Sequence, residues 1–172
     1  MSHGALIDCA DDVWRIVYRL LNDPEEAREC YQQAFLDGLR LDADSVQNWR
    51  AMMCRIATRR AMDQLRRRYR DRDKLQGIEH EPSLELPPEQ QLEDAELREL
   101  VRSVLASLPP HQAEAFWLRH IEQLNQDEIA QQLGIRTGHV RVLVHRAIVC
   151  LREALGPIYG IALSSENEYE LP

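Results

Sequence analysis

The sequence predicts an all-α protein built as two small helical domains joined by a flexible acidic linker. Three observations carry this. Apolar residues recur at spacings of three and four along most of the chain, the period of a one-faced helix. Only 7 residues are Gly and only 6% are aromatic, which argues against an all-β sandwich or a glycine-looped nucleotide enzyme. A proline-containing acidic stretch, residues 76–92, interrupts the helical period and separates two periodic halves. The 172 residues allow one ordinary domain or two small ones, and 44% hydrophobic content suffices to bury their cores.

Residues 8–22 place Val13, Ile16, Val17, Leu20 and Leu21 on one apolar stripe. Asn22-Asp23-Pro24-Glu25-Glu26 then reads as a helix start. Asp23 can cap, Pro24 suits the first helical position, and Glu26 stands where a capping box needs a carboxylate. The helix that follows carries Ala27, Cys30, Tyr31, Ala34, Phe35 and Leu39 as its apolar positions. After a polar loop at 42–45, a long helix over about 46–73 includes Trp49, Met52, Met53, Ile56, Ala57, Ala61 and Leu65, with arginines on its other faces. Beyond the linker the helical pattern resumes over about 93–107 with Leu97, Leu100, Val101, Val104 and Leu105. Leu108-Pro109-Pro110 stops that helix and starts another, which turns Ala113, Phe116, Trp117 and Ile121 inward.

Residues 125–152 are the most informative. Asn125 and Glu128 match a capping box, and Ile129, Ala130 and Leu133 form the inner face of a short helix. Gly134 sits where a tight turn needs a left-handed residue, and Ile135 plugs that turn. A second helix from about Thr137 carries Val140, Val144, Ala147, Ile148 and Leu151 inward. Two short helices joined by a glycine turn are the DNA-binding helix-turn-helix pattern, with small Ala130 admitting the close crossing of Val140. A generic helical hairpin is the alternative. His139, Arg141, His145 and Arg146 point outward, where they could meet phosphates and base edges or stand as plain surface residues.

The net charge of −8 hides a strong segregation. Residues 1–49 hold 10 acids and 4 bases, residues 50–74 hold 10 bases and 3 acids, and residues 75–100 hold 8 acids and 1 base. Nine bases of the cationic block are Arg, whose planar fork suits phosphate and base edges. A solvated helix face is the plainer reading of the same block.

No apolar run approaches the roughly 18–20 residues of a membrane span, and the N-terminus lacks the basic flank and apolar core of a signal peptide. A cytoplasmic protein without membrane insertion is expected. Cys9, Cys30, Cys54 and Cys150 lie far apart, form no C-x-x-C pair and read as reduced, mostly buried thiols, a redox role for one being the alternative. There is no metal-ligand spacing, no phosphate loop and no set of nucleophile, base and orienter. The reading is therefore not an enzyme, with no catalytic residue, no metal and no cofactor.

From these residues the chain resembles bacterial sigma-70 family RNA polymerase sigma factors of the extracytoplasmic-function group, over about residues 12–155. YRLLNDPEEARECYQQAFLDGLR (18–40) is similar to the region 2 helices that bind the clamp of the polymerase beta-prime subunit. NWRAMMCRIATRRAMDQLRRRYR (48–70) resembles the helix that opens and reads the −10 element. Residues 97–155, with LASLPPHQAEAFWLRHIEQLNQDEIAQQLGI followed by VHRA, resemble region 4, which reads the −35 element.

The resemblance implies a promoter-recognition subunit with core RNA polymerase (beta-prime clamp and beta flap) and promoter DNA as partners, and allows an anti-sigma partner. It implies −35 contacts from Thr137, His139, Arg141, His145 and Arg146. It implies −10 contacts from Arg55, Arg59, Arg60, Arg66, Arg67 and Arg68, and polymerase contacts from Glu29, Gln32, Gln33 and Phe35. The corresponding domains are a region 2-like unit (1–74), a linker (75–93), a region 4-like unit (94–156) and a C-terminal tail (157–172). Readings left standing beside it are a stand-alone helix-turn-helix regulator and a degenerate sigma-like interaction protein.

Several positions depart from the family pattern. Gln33 replaces a clamp-facing carboxylate, Met52 a Trp, and Arg59 an Asn, with Trp49 one turn earlier as a source of aromatic bulk. Arg136 stands where a capping Ser is usual, so Thr137 is expected to cap one residue later. Val142-Leu143 replaces a Ser-Arg pair, which removes one DNA-facing charge. If the arginine block meets DNA and the acidic parts meet protein, free chain should bind DNA weakly.

Overall fold

The computed structural model describes Gly4 and residues 7–76 and 91–159. Among the described residues these α-helices run in order: α1 (Ala10–Leu21), α2 (Pro24–Leu39), α3 (Trp49–Gln76), α4 (Gln91–Ser107), α5 (Pro110–His120), α6 (Gln126–Leu133) and α7 (Thr137–Tyr159). A 3-10 turn at Ala43–Ser45 enters α3, and no strand occurs among the described residues.

The predicted stripe on α1 is the centre of the first half. Val13, Ile16, Val17, Leu20 and Leu21 are all at most 1% exposed. They pack beside Ala27, Cys30 and Ala34 of α2 and beside Met53, Ala57, Ala61, Met62 and Leu65 of α3. The small residues of α2, ending at buried Gly38, let the three helices close on one another. The second half buries Leu105, Ala113, Leu118, Ile129, Val140, Val144 and Ala147 between α4, α5, α6 and α7.

Helix α3 belongs to both halves. It packs on α1 and α2 and also on α4, α5 and α6, and the buried residues form one continuous cluster. Side chains fasten this junction at helix ends. The carbonyls of Arg19 and Leu21, at the end of α1, accept from Arg102 Nη2 at 3.0 Å and from Arg68 Nη2 at 2.9 Å. Arginines thereby satisfy backbone acceptors that the last helical turn leaves open.

Some expectations are corrected. Asp23 does cap α2, accepting from the N–H groups of Glu25 and Glu26, but the Glu26 carboxylate pairs with Arg68, a charged partner stronger than a backbone N–H. Ile121, read as inward, and Leu39, read as an apolar position of α2, are 36% and 52% exposed, because each sits where its helix ends and the apolar stripe leaves the core. Helices cover both ends of the expected linker, and its remainder, 77–90, lies outside the described residues. Helix α7 continues past the expected domain end at 156 through Pro157, preceded by Gly156, which has no Cβ to clash with the proline ring. Residues 160–172 of the tail lie outside the described residues.

Candidate nucleic-acid interface

The helix-turn-helix forms as its local chemistry requires. Asn125 Oδ1 accepts from the Glu128 N–H and Glu128 Oε2 accepts from the Asn125 N–H, each at 2.9 Å. This reciprocal box starts α6. Gly134 ends it at φ 65°, a conformation costly for any residue with a Cβ, and the Ile135 N–H closes the turn on the Ala130 carbonyl at 3.0 Å. Ala130 and Val140 are buried where the two helices cross.

Two side-chain ties then fix α7 against the start of α6. Thr137 Oγ1 donates to Asp127 Oδ1 at 2.9 Å, and Arg141 Nε donates to Gln126 Oε1 at 3.0 Å. Thr137 is thus engaged by Asp127 through the hydroxyl that was expected to cap α7. His139, Arg141, His145 and Arg146 all stand exposed. Leu143 is only 6% exposed and belongs to the core, whereas Val142 is exposed. The departure that alters the outward surface is therefore Val142, and the apolar residue at 143 serves packing instead of removing an outward charge.

The six arginines expected at the −10 element divide three ways. Arg60 and Arg68 brace the first half: Arg60 Nε meets Asp37 Oδ2 at 2.7 Å, and Arg68 holds the Leu21 carbonyl and Glu26. Arg55 and Arg66 face the second half. Arg66 Nη2 reaches the Leu108 carbonyl at 3.4 Å and Arg66 Nη1 meets Asp63 at 3.1 Å. Arg55 Nε is buried without a hydrogen-bond partner among the described residues. Arg59 and Arg67 are exposed.

Glu114 of α5 lies against this region and is 2% exposed, with its Oε2 likewise unpartnered among the described residues. Burial raises its carboxyl above the ordinary value, although Arg55, His111 and Arg59 pull the other way. Composition gave no sign of this residue, since a single Glu on a helix reads as surface.

The outer face of α2 exposes Glu29, Gln32 and Gln33, while Phe35 is half-buried with its ring 4.8 Å from Tyr31. Trp14 and Tyr18 of α1 extend this strip. Trp14 lies 5.8 Å from Tyr31 and stacks on Tyr18 at 5.9 Å. The sequence reading missed them, yet they fall four apart on the flank of α1 beside its buried stripe, which was the available signal.

Burial pushes the Cys30 thiol up to about 11 and the Cys54 thiol up to about 12, so both stay protonated and unreactive at neutral pH. Among the described residues no three His, Cys, Asp or Glu side chains are placed to hold a metal ion, and no helix is long and apolar enough to cross a membrane.

This arrangement has known counterparts. The Sigma-70 region 2 family matches residues 6–71, and the Sigma-70, region 4 family matches residues 98–151. An ECF RNA polymerase sigma factor, SigE of Mycolicibacterium smegmatis, is 34% identical over 153 residues, covering 85% of this chain and 58% of the relative. The RNA polymerase sigma-E factor of Streptomyces coelicolor is 31% identical over 149 residues, covering 84% of this chain and 80% of the relative. In fold, the chain is similar to the sigma factor RpoE of Bartonella quintana, solved with the anti-sigma factor NepR. There the TM-score is 0.52 at 21% identity, covering 87% of this chain and 93% of that one.

Proposed function

The chain belongs to the sigma-70 family of RNA polymerase sigma factors, in its extracytoplasmic-function group, and from that premise we propose that it binds core RNA polymerase and directs it to specific promoters. The observation that carries the reading is the helix-turn-helix whose second helix turns His139, Arg141, His145 and Arg146 out together, downstream of a region 2-like half. Exposed cations beside donor side chains suit phosphate contact and base-edge reading in a major groove.

Residues 1–74 take the polymerase clamp and the −10 element in this reading. Residues 94–156, with α7 extending to Tyr159, take the beta flap and the −35 element. Residues 75–93 serve as the linker and 157–172 as the tail. Exposed Glu29, Gln32 and Gln33 beside Phe35 supply the clamp contact. Arg59 and Arg67 are the −10 arginines free to reach DNA from this packing, and Arg55 and Arg66 join them only where α5 moves away. The chain works in the cytoplasm, contributes no catalytic residue and is open to restraint by an anti-sigma partner, the kind of protein with which the Bartonella factor was crystallised.

The test is reconstitution. Purified chain added to core polymerase is expected to start transcription from a limited set of promoters selected from a random duplex library. Failure of the chain to co-purify with core polymerase from its host refutes the reading.

A further inference from the structure

The outward face of α7 is centred on an apolar side chain. At 3.6 residues per turn, Gly138 and His139 lie one turn before Val142, and His145 and Arg146 lie one turn after it. All four are exposed, and Val142 between them is 42% exposed. The flanking Arg141 is drawn aside by its bond to Gln126 Oε1.

Two features make this valine available to a ligand. Helical side chains lean toward the N-terminus, so Val142 covers the turn that holds residue 138. Residue 138 is glycine, and a Cβ built there would meet nothing within 4 Å. No side chain at that position overhangs the valine, and a flat partner could approach it closely.

The chemistry of the partner follows from the groove. Most base-edge features in the major groove are hydrogen-bond donors or acceptors, and pressing a valine on them strips their water without replacing it. The thymine C5 methyl is the apolar exception. We infer that Val142 is a specificity-determining residue that packs on a thymine C5 methyl within the −35 duplex. The inference rests on the promoter-recognition reading and extends it from phosphate and hydrogen-bond contacts to one methyl group. It also gives Val142 a role distinct from Leu143, which packs the core.

Removing only that methyl tests it. Promoters selected by wild-type holoenzyme from a random duplex library are rebuilt with each −35 thymine in turn replaced by deoxyuridine, which keeps every hydrogen-bonding group. For wild type, one replacement should lower open-complex formation about fourfold, the weight of one buried methyl. Holoenzyme carrying Val142→Ala should be indifferent at that position while responding normally at others, and its chain should melt as the wild-type chain does. Identical deoxyuridine profiles for wild type and Val142→Ala, or no responsive thymine, overturn the inference and leave promoter recognition intact. If wild-type holoenzyme selects no promoter, promoter recognition fails and takes the inference with it.

Discussion

Arg15 Nη2 in the first helix donates to Glu122 Oε2 at 3.1 Å, joining residues 107 positions apart. The Glu122 side chain is fully buried, and its second oxygen accepts from Trp117 Nε1 at 3.2 Å. One carboxylate thus ties the start of the chain to the helix preceding the helix-turn-helix. Glu122→Ala should cost about 2 kcal/mol, or about 4–8 °C in Tm, because it leaves the buried indole N–H without an acceptor. Arg15→Ala should also cost about 2 kcal/mol or more, because it leaves the fully buried Glu122 carboxylate without its cation even though Arg15 itself is 41% exposed. Thermal melts of the two variants check both losses, and a wild-type Tm for either variant would contradict the assignment.

Glu114 makes stability depend on pH. Its folded carboxyl lies above the ordinary 4.5, first through burial and with a small push from Asp63, against the pull of Arg55, His111 and Arg59. A carboxyl raised in the folded state contributes stability that is full below the unfolded value and is lost as pH climbs through the folded value. Wild type should therefore lose, from about pH 4.5 upward, a contribution that Glu114→Gln retains. The melting temperature of Glu114→Gln should exceed that of wild type at about pH 7.5, with the gap narrowing toward about pH 4.5. A gap that widens on acidification would reverse the assignment.

The helix-turn-helix depends on two backbone devices that touch no ligand. Asn125→Ala removes the side chain that caps α6 and should cost about 1 kcal/mol. Gly134→Ala places a Cβ at φ 65° and should cost about 1–2 kcal/mol even though the surrounding space is open. Denaturant titration should show these losses. Holoenzyme carrying either change should lose discrimination of −35 sequence before it loses affinity for core polymerase.

The elements were legible in the sequence wherever one local signal decided them. The stripe of α1, the capping box at Asn125 and Glu128, and the left-handed Gly134 each follow from the residues that form them. The junction between the halves was not legible, because its members are charged residues that every local rule puts on the surface. Arg102, Glu114 and Glu122 are all under 9% exposed, and their burial depends on partners or neighbours from other helices. For the same reason the sequence grouped six arginines as one DNA-facing set, whereas folding gives Arg60 and Arg68 carboxylate partners on α2. Helical spacing shows which residues share a face. Which face is spent on packing depends on residues distant in sequence.

That division of the arginines yields the most discriminating prediction. Arg68 caps the end of α1 and pairs with Glu26, and its side chain is 27% exposed. Arg68→Ala should lower stability by about 1–3 kcal/mol, since it strands a backbone carbonyl and a carboxylate. Arg60→Ala should lower it by less, because its partner Asp37 keeps access to Arg40 at 3.8 Å. Arg59→Ala and Arg67→Ala remove exposed side chains and should leave stability within about 0.5 kcal/mol of wild type. In the promoter-recognition reading their effect is on DNA binding. Removing one phosphate-binding arginine should reduce the slope of log affinity against log salt by about 0.7–0.9, the range from single strands to duplex. Open-complex formation by holoenzyme, measured across a potassium chloride series, therefore separates the pairs. Arg59 and Arg67 variants should flatten the salt dependence at unchanged Tm. Arg60 and Arg68 variants should lower Tm and, once folded at low temperature, keep the wild-type slope. The reverse pattern would mean that the braces of this packing open on polymerase and that the exposed arginines do not reach the promoter.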